Sequence, residues 1–275
     1  MKIDGSIAVV TGASSGIGAA IAVEFAHRGA TVVVTARRKR ELEVTAERCR
    51  HHTADSLAVS GDLAKPLDCE RVVATALERL GRVDILVNNA GMSMRRHALD
   101  TTPVDLERVL QINFLAAVRT TAAVLPAMVE RGRGSVVNVT SVAGKIPNPR
   151  ESAYGASKAA LHLWTHALAV DLDATGVHMG VLSPGPIDTD IWDSDEIPAS
   201  YRGRRYPPEV VADATARMVE KEVAQQTVPR RFGAVGVLHE LPLVGRAIRH
   251  GLVRFERAGE RRRAAPERVT QERRT

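Results

Sequence analysis

The chain has 275 residues, 44% of them hydrophobic and 25% charged, a composition that supports a real buried core. Disorder, collagen-like and coiled-coil architectures are excluded for most of it, and no run approaches the roughly 20 uninterrupted apolar residues of a spanning helix. The formal charge of +6 is uneven: residues 228–275 hold 12 Arg and 5 Glu, a net of +7, which leaves residues 1–227 at −1.

Aromatic residues make up only 3% of the chain and do not alternate with the C-terminal arginines, so no stacking platform for single strands is visible. Nucleic acid is not an expected partner. The opening Met1-Lys2-Ile3-Asp4-Gly5-Ser6 lacks a secretory pattern, because a charged turn leads straight into a short apolar run. With only Cys49 and Cys69, a disulfide framework is excluded, and a reducing, cytoplasmic compartment is expected.

Apolar runs of strand length alternate with helix-length amphipathic stretches. Ile7-Ala8-Val9-Val10 precedes a helical pattern from Gly16 to His27, with Ile17, Ile21 and Phe25 at four-residue spacing. Thr31-Val32-Val33-Val34 precedes a polar helix from Lys39 to about Arg50. Ser56-Leu57-Ala58-Val59 leads to a helix after Pro66, and Asp84-Ile85-Leu86-Val87 to a long one after Pro103. Ser135 to Val139 leads to a helix near Tyr154, and Val177 to Leu182 to one from about Pro208 to Lys221. Strands that read as continuous apolar runs require a sheet covered on both faces. Their alternation with helices implies parallel pairing through right-handed crossovers. The expected fold is α/β, a Rossmann-type doubly wound parallel sheet. Residues 1–228 read as one dinucleotide-binding catalytic domain.

The turn from the first strand into the first helix reads Thr11-Gly12-Ala13-Ser14-Ser15-Gly16-Ile17-Gly18. Glycines there let backbone approach a pyrophosphate, and a helix N-terminus offers unpaired N–H groups with partial positive charge. The alternative is a glycine-rich turn that needs positive φ. The second strand ends in Thr35-Ala36-Arg37-Arg38, with no acid before Glu41. An acid at that point would bond the ribose 2′-hydroxyl, whereas an arginine accepts a 2′-phosphate, and Arg37 offers the planar fork that can bind it bidentately. NADP(H) is therefore favoured over NAD(H), the alternative being a solvated basic helix start. Tyr154-Gly155-Ala156-Ser157-Lys158 sets Tyr and Lys four apart on one helix face. A nearby ammonium favours the phenolate and lowers the tyrosine pKa, which suits a proton donor and acceptor for a carbonyl/alcohol couple.

Together these segments resemble the short-chain dehydrogenases/reductases from about residue 5 to residue 225. Besides the Thr11–Gly18 loop and the Tyr154/Lys158 pair, Gly61-Asp62-Leu63 matches the segment whose acid lies against the adenine. Asn88-Asn89-Ala90-Gly91 closes the fourth strand, Asn113 follows on the next helix, and Thr140-Ser141 ends the fifth strand. Pro184-Gly185-Pro186-Ile187-Asp188-Thr189 matches the family loop around the nicotinamide. The resemblance implies hydride transfer between nicotinamide and a carbonyl carbon. It implies Tyr154 as acid/base, Ser141 bonding the substrate oxygen, Lys158 lowering the Tyr154 pKa and holding the ribose, and Asn113 holding a water beside Lys158. The cofactor residues it implies are Gly12, Ser14, Ser15, Gly16, Ile17, Gly18, Arg37, Arg38, Asp62, Leu63, Asn89, Ala90, Gly91, Tyr154, Lys158, Pro184, Gly185, Ile187 and Thr189. It also implies a homodimer or homotetramer through the helices after Pro103 and near Tyr154.

His162 and His166 stand four apart but have no third ligand, so they read as structural and no metal is expected. Ser141 is not a nucleophile of the G-x-S-x-G kind, since Thr140 precedes it and Val142 follows. The acidic stretch Asp188 to Glu196 reads as part of a substrate loop. The family's usual closing strand is missing. Gln225 to Val228 is the candidate last strand, and residues 229–275 form a basic C-terminal extension. Within it, Leu243, Ala247, Ile248, Gly251, Leu252 and Phe255 share one face of a helix over about 243–257, and a tail expected to be disordered runs from Glu260. Such a basic amphipathic helix suits a lid, a subunit contact or an anionic inner membrane surface. A substrate drawn from a membrane would be apolar. The other function classes in view are a catalytically silent NADP-binding regulator and a membrane-surface protein acting through its tail. The intact Asn113, Ser141, Tyr154 and Lys158 set argues against the first.

Overall fold

The computed structural model describes residues 1–192, 197, 201–238, 244 and 251. Seven strands form one sheet: β1 Ile7–Thr11, β2 Thr31–Thr35, β3 Leu57–Ala58, β4 Ile85–Asn88, β5 Gly134–Val139, β6 Val177–Pro184 and β7 Gln225–Val228. Their order is β3-β2-β1-β4-β5-β6-β7, and every neighbouring pair is parallel. The expected doubly wound sheet is present. All five residues of β1 and all six of β5 are buried, the polar Thr11, Ser135 and Asn138 included, as in a sheet covered on both faces.

The helices are α1 Gly16–His27, α2 Lys39–Arg50, α3 Pro66–Leu80, α4 Pro103–Leu110, α5 Ala116–Glu130, α6 Ser152–Asp171, α7 Glu209–Lys221 and α8 Arg231–Leu238. On one face of the sheet Ile21 and Phe25 of α1 meet Val211 and Met218 of α7. On the other, Val72 and Val73 of α3 meet Val124 and Met128 of α5. Each such large apolar side chain contributes about 1.5–3 kcal/mol by leaving water.

Local chemistry sets the ends. Pro66 and Pro103 open their helices where a missing N–H costs nothing. Thr102 and Asp105 cap α4 reciprocally, Asp105 N–H donating to Thr102 Oγ1 at 3.2 Å and Thr102 N–H to Asp105 Oδ2 at 3.0 Å. Between α4 and α5, Gln111–Leu115 is a π turn, so the helix runs on from Pro103 to Glu130 with one extra residue in its ladder. By length and composition alone that stretch could cross a membrane. In the fold it packs on α3, α6, β4 and β5, with Thr120 and Thr121 buried and bonded to Asn88 of β4.

Two departures from the sequence reading stand out. The third strand shrinks to Leu57–Ala58 at the sheet edge. Beyond the anticipated β7, α8 forms where no helix was expected, in a run whose Gly233 and Gly236 obscure helical periodicity. It packs on β7 and on the 3-10 turn Val142–Gly144. The amphipathic helix expected over 243–257 and the tail from 260 lie outside the described residues, Val244 and Gly251 apart.

Candidate active site

The strand order reverses between β1 and β4, and in such sheets ligands bind at the C-terminal ends of the strands flanking that point. Here the ends of β1 and β4 are laced together. Thr11 Oγ1 accepts from Asn89 N at 2.9 Å and from Ala90 N at 3.0 Å, and Asn89 Nδ2 donates to the carbonyls of Thr11 (2.9 Å) and Gly12 (3.2 Å). Gly12 and Gly16 sit at φ +67° and +57°, which an L side chain resists, and a Cβ on Gly16 would lie 2.9 Å from Thr189 Cγ2. The loop at Thr189 thereby closes against the glycine turn. Ser15 precedes α1 without a side-chain cap, so the first amides of α1 are left for another acceptor. This combination of open amides, tight glycines and a helix N-terminus fits the pyrophosphate of a dinucleotide.

At the end of β2 the two arginines part company. Arg38 bonds Ser14 Oγ and Ser15 Oγ, its Nη2 standing 3.2 and 2.7 Å from them. Arg37 is exposed and makes no hydrogen bond or ion pair among the described residues. Gly61 N–H donates to the Ala36 carbonyl at 3.0 Å, which brings Asp62 and the buried Leu63 alongside the same strand end.

Tyr154 and Lys158 lie on α6, Ser141 at the end of β5, and Asn113 in the π turn. Burial dominates the titration of Tyr154 and pushes it up to about 12, against a side-chain hydrogen bond with Ser141. The phenol therefore keeps its proton at neutral pH. Lys158, only 4% exposed, is brought down to about 8 by burial. Its Nζ donates to the Val139 carbonyl at 2.9 Å. The charges that act on Tyr154 are Arg95 (lowering) and Glu151 (raising). Asn113 is 1% exposed, and its Oδ1 and the Lys158 Nζ both border Gly91, where a Cβ would lie 3.0 and 3.4 Å from them.

Three side chains here were not anticipated. Arg95 is buried, donating Nε to the Ile197 carbonyl at 2.8 Å and Nη2 to the Trp192 carbonyl at 2.7 Å. Glu151 stands just before α6. Ser157 joins Asn113 to the Tyr154 backbone. The only signal for Arg95 in the sequence is a cation in a segment beside the Asn-Asn-Ala-Gly turn. Pro184 ends β6 and Gly185 follows it, Gly185 N–H donating to the Val228 carbonyl at 2.7 Å, and Ile187 is buried. His162 and His166 stack edge to face at 4.8 Å on α6, and no group of three metal-ligating residues exists among the described residues.

The short chain dehydrogenase family model matches residues 6–198. The chain belongs to that family. Among curated proteins, it is 34% identical over 248 residues to the "Uncharacterized oxidoreductase YxnA" of Bacillus subtilis, covering 87% of this chain and 70% of that one. Several other curated relatives are longer, the match spanning 54 to 64% of four of them. Among solved structures, a short-chain dehydrogenase/reductase from Burkholderia phymatum in complex with NAD superposes with a TM-score of 0.80 at 25% identity, over 87% of this chain and 94% of that one. One from Sphingobium yanoikuyae in complex with NADPH gives 0.75 at 29% identity and covers 98% of both chains. As a short-chain dehydrogenase, the protein is an NAD(P)-dependent oxidoreductase of CH–OH/C=O couples.

Proposed function

We propose that this short-chain dehydrogenase is an NADP(H)-preferring reductase or dehydrogenase of a ketone, aldehyde or secondary alcohol, with Tyr154 as general acid/base. Two observations carry the reading: Ser141 stands beside the buried Tyr154 phenol, and the Asn113 and Lys158 side chains both border Gly91. When bound, the nicotinamide supplies or accepts the hydride. Tyr154 then gives its proton to the substrate oxygen, or takes one in reverse, and Ser141 holds that oxygen by a hydrogen bond that strengthens as charge grows. A bound cofactor would bring ribose hydroxyls to Lys158, whose depressed pKa makes its proton easy to give up. Asn113 borders Lys158 and is placed to keep a water beside it.

The cofactor would be held by Gly12, Ser14, Ser15, Gly16, Ile17 and Gly18 at the pyrophosphate, and by Asp62 and Leu63 at the adenine. Asn89, Ala90, Gly91, Pro184, Gly185, Ile187 and Thr189 would line the remainder. Arg38, forked over Ser14 and Ser15, is the better placed of the two arginines for a 2′-phosphate, with Arg37 beside it, and this supports NADP(H) over NAD(H).

We also propose a homodimer or homotetramer, supported by the exposed Val104 of α4 and Leu163 and Val170 of α6. Cytoplasmic residence is supported by two buried cysteines that are unpaired. The suggested membrane contact falls on residues outside those described and forms no part of the proposal. The intact proton-handling set speaks against a silent regulator. The deciding experiment is Tyr154→Phe. Turnover should fall about 10²–10⁴-fold while NADPH affinity stays within a few-fold, and wild-type turnover in that variant overturns the assignment.

A further inference from the structure

A buried cation stands between the segment that follows β4 and the loop that follows β6. Arg95 is 6% exposed. Its Nε donates to the Ile197 carbonyl at 2.8 Å and its Nη2 to the Trp192 carbonyl at 2.7 Å, bonds that span 102 and 97 residues of chain. Two residues earlier, the Ser93 hydroxyl donates to the Ile191 carbonyl at 3.4 Å. One residue later, Arg96 N–H donates to the Arg150 carbonyl at 2.8 Å, just ahead of α6. Residues 93–96 therefore join the end of β4 both to the loop after β6 and to the start of the tyrosine helix.

The loop is fixed at Trp192 from several sides. Its indole Nε1 donates to the Ile187 carbonyl, its backbone N–H donates to the Thr189 carbonyl at 3.3 Å, and the Arg205 guanidinium lies 4.7 Å from the ring centre. Burying a guanidinium costs free energy that bonds to carbonyls only offset, and an apolar side chain of similar size would fill the same gap without that penalty. The charge has a use nearby. When Tyr154 gives up its proton it becomes an anion, and a fixed positive charge favours that state. Arg95 acts on Tyr154 in this direction, against Glu151 on the other side of the balance.

We propose that Arg95 is a positioning residue of the tyrosine site, a buried strap whose two-pronged hold on the Trp192 and Ile197 carbonyls sets the loop after β6 against the start of α6 and keeps a permanent cation in place there. The proposal rests on the reading of Tyr154 as acid/base. The fork is essential to it, because the two carbonyls belong to different residues and are met by different nitrogens of one rigid plane.

The test uses the full chain in a Trp164→Phe background, which leaves Trp192 as the remaining one of two tryptophans. Arg95→Met should shift the Trp192 emission to the red and open the ring to acrylamide, while NADPH affinity stays within a few-fold. With NADPH and 4-nitrobenzaldehyde, kcat should fall about 10- to 100-fold and KM should change less. Arg95→Lys keeps the charge but offers one ammonium in place of the fork; it should recover part of kcat with the emission still shifted. Arg96→Met removes the neighbouring exposed cation and should leave both readouts native. Native emission in Arg95→Met, a rise in KM at unchanged kcat, or an equal loss in Arg96→Met each overturns the strap. If Arg95→Met fails to bind NADPH, Arg95→Lys decides, and native emission in that variant overturns it. If the wild type oxidises no NADPH with this aldehyde, the emission readings decide alone. Tyr154→Phe is run alongside: wild-type turnover there overturns the acid/base reading, separately from the strap.

Discussion

The Asn113 side-chain amide donates to the Ser157 hydroxyl at 3.0 Å, and that hydroxyl donates in turn to the Tyr154 carbonyl at 2.7 Å. The π turn and the tyrosine helix are joined through this one oxygen. Asn113 also accepts from Met92 N–H at 2.8 Å and donates to the Met92 carbonyl at 2.9 Å, so it ties in the segment after β4 as well. Ser157→Ala leaves a buried amide hydrogen without an acceptor, at a cost of about 1–3 kcal/mol. Denaturant unfolding should report that loss, and kcat should fall more than cofactor affinity. Ser157→Thr, which keeps the hydroxyl, should recover most of both; an alanine variant with native stability and turnover contradicts the linkage.

Lys158 makes stability depend on alkaline pH. Its folded pKa of about 8 lies below the ordinary lysine value, so between the two the unfolded chain binds more protons and folding strengthens as pH rises. Below about 8 the cost of burying the ammonium is fully present. Lys158→Met should therefore stabilise the cofactor-free protein at pH 7, by an amount on the order of 2 kcal/mol, and flatten the alkaline rise. Tyr154 acts oppositely at higher pH. Its raised pKa means that the unfolded chain loses its proton first, so stability declines as pH climbs from the ordinary tyrosine value toward about 12. Melting temperatures across pH 7–11 for both proteins decide the matter; an unstabilised Lys158→Met would show that the Val139 contact outweighs the burial penalty.

Arg38, not Arg37, is expected to set cofactor preference. Arg38→Ala should weaken NADPH by about tenfold or more while changing NADH only slightly, and Arg37→Ala should have the smaller effect. Fluorescence titration of both nucleotides into both variants is sufficient. The reverse ranking would return the role to Arg37.

His162 carries a buried Nδ1 without a hydrogen-bond partner among the described residues, and burial brings its pKa down to about 4. A depressed base costs stability as pH falls from the ordinary histidine value through that range, because the unfolded chain takes up the proton first. His162→Leu should fill the same space without an orphaned nitrogen, raising stability by about 1 kcal/mol and softening the acid limb. Turnover should be unchanged. An acid limb of native steepness in the variant assigns it to His178, whose pKa is likewise lowered by burial.

What could be read from sequence alone depended on whether local chemistry carried the signal. Continuous runs such as Val32-Val33-Val34 needed burial on two faces, and Pro66 and Pro103 marked helix starts, so the sheet and its crossovers were legible. Tyr154 and Lys158 were legible because four-residue spacing places them on one face. Arg95, Glu151 and Ser157 were not, since their importance comes from segments that meet only in three dimensions. The sequence pointed to Arg37 as the phosphate fork and could not weigh Arg38 against it, because neighbours in a turn point in directions that composition does not encode. The Val139 carbonyl that accepts from Lys158 was likewise out of reach of the sequence, since it lies 19 residues away on another element.

The Thr11–Asn89 clasp joins residues 78 apart in the chain. β1 meets β4 only after β2, β3 and three helices have been threaded between them, so the loop that closes there is long and is formed against a large entropic cost. Contacts of such high sequence separation form slowly and late. The nucleotide crevice therefore does not exist in an N-terminal fragment ending before β4, however complete its glycine turn. During refolding, the moment at which nucleotide begins to protect the chain from protease marks the docking of the two halves of the sheet.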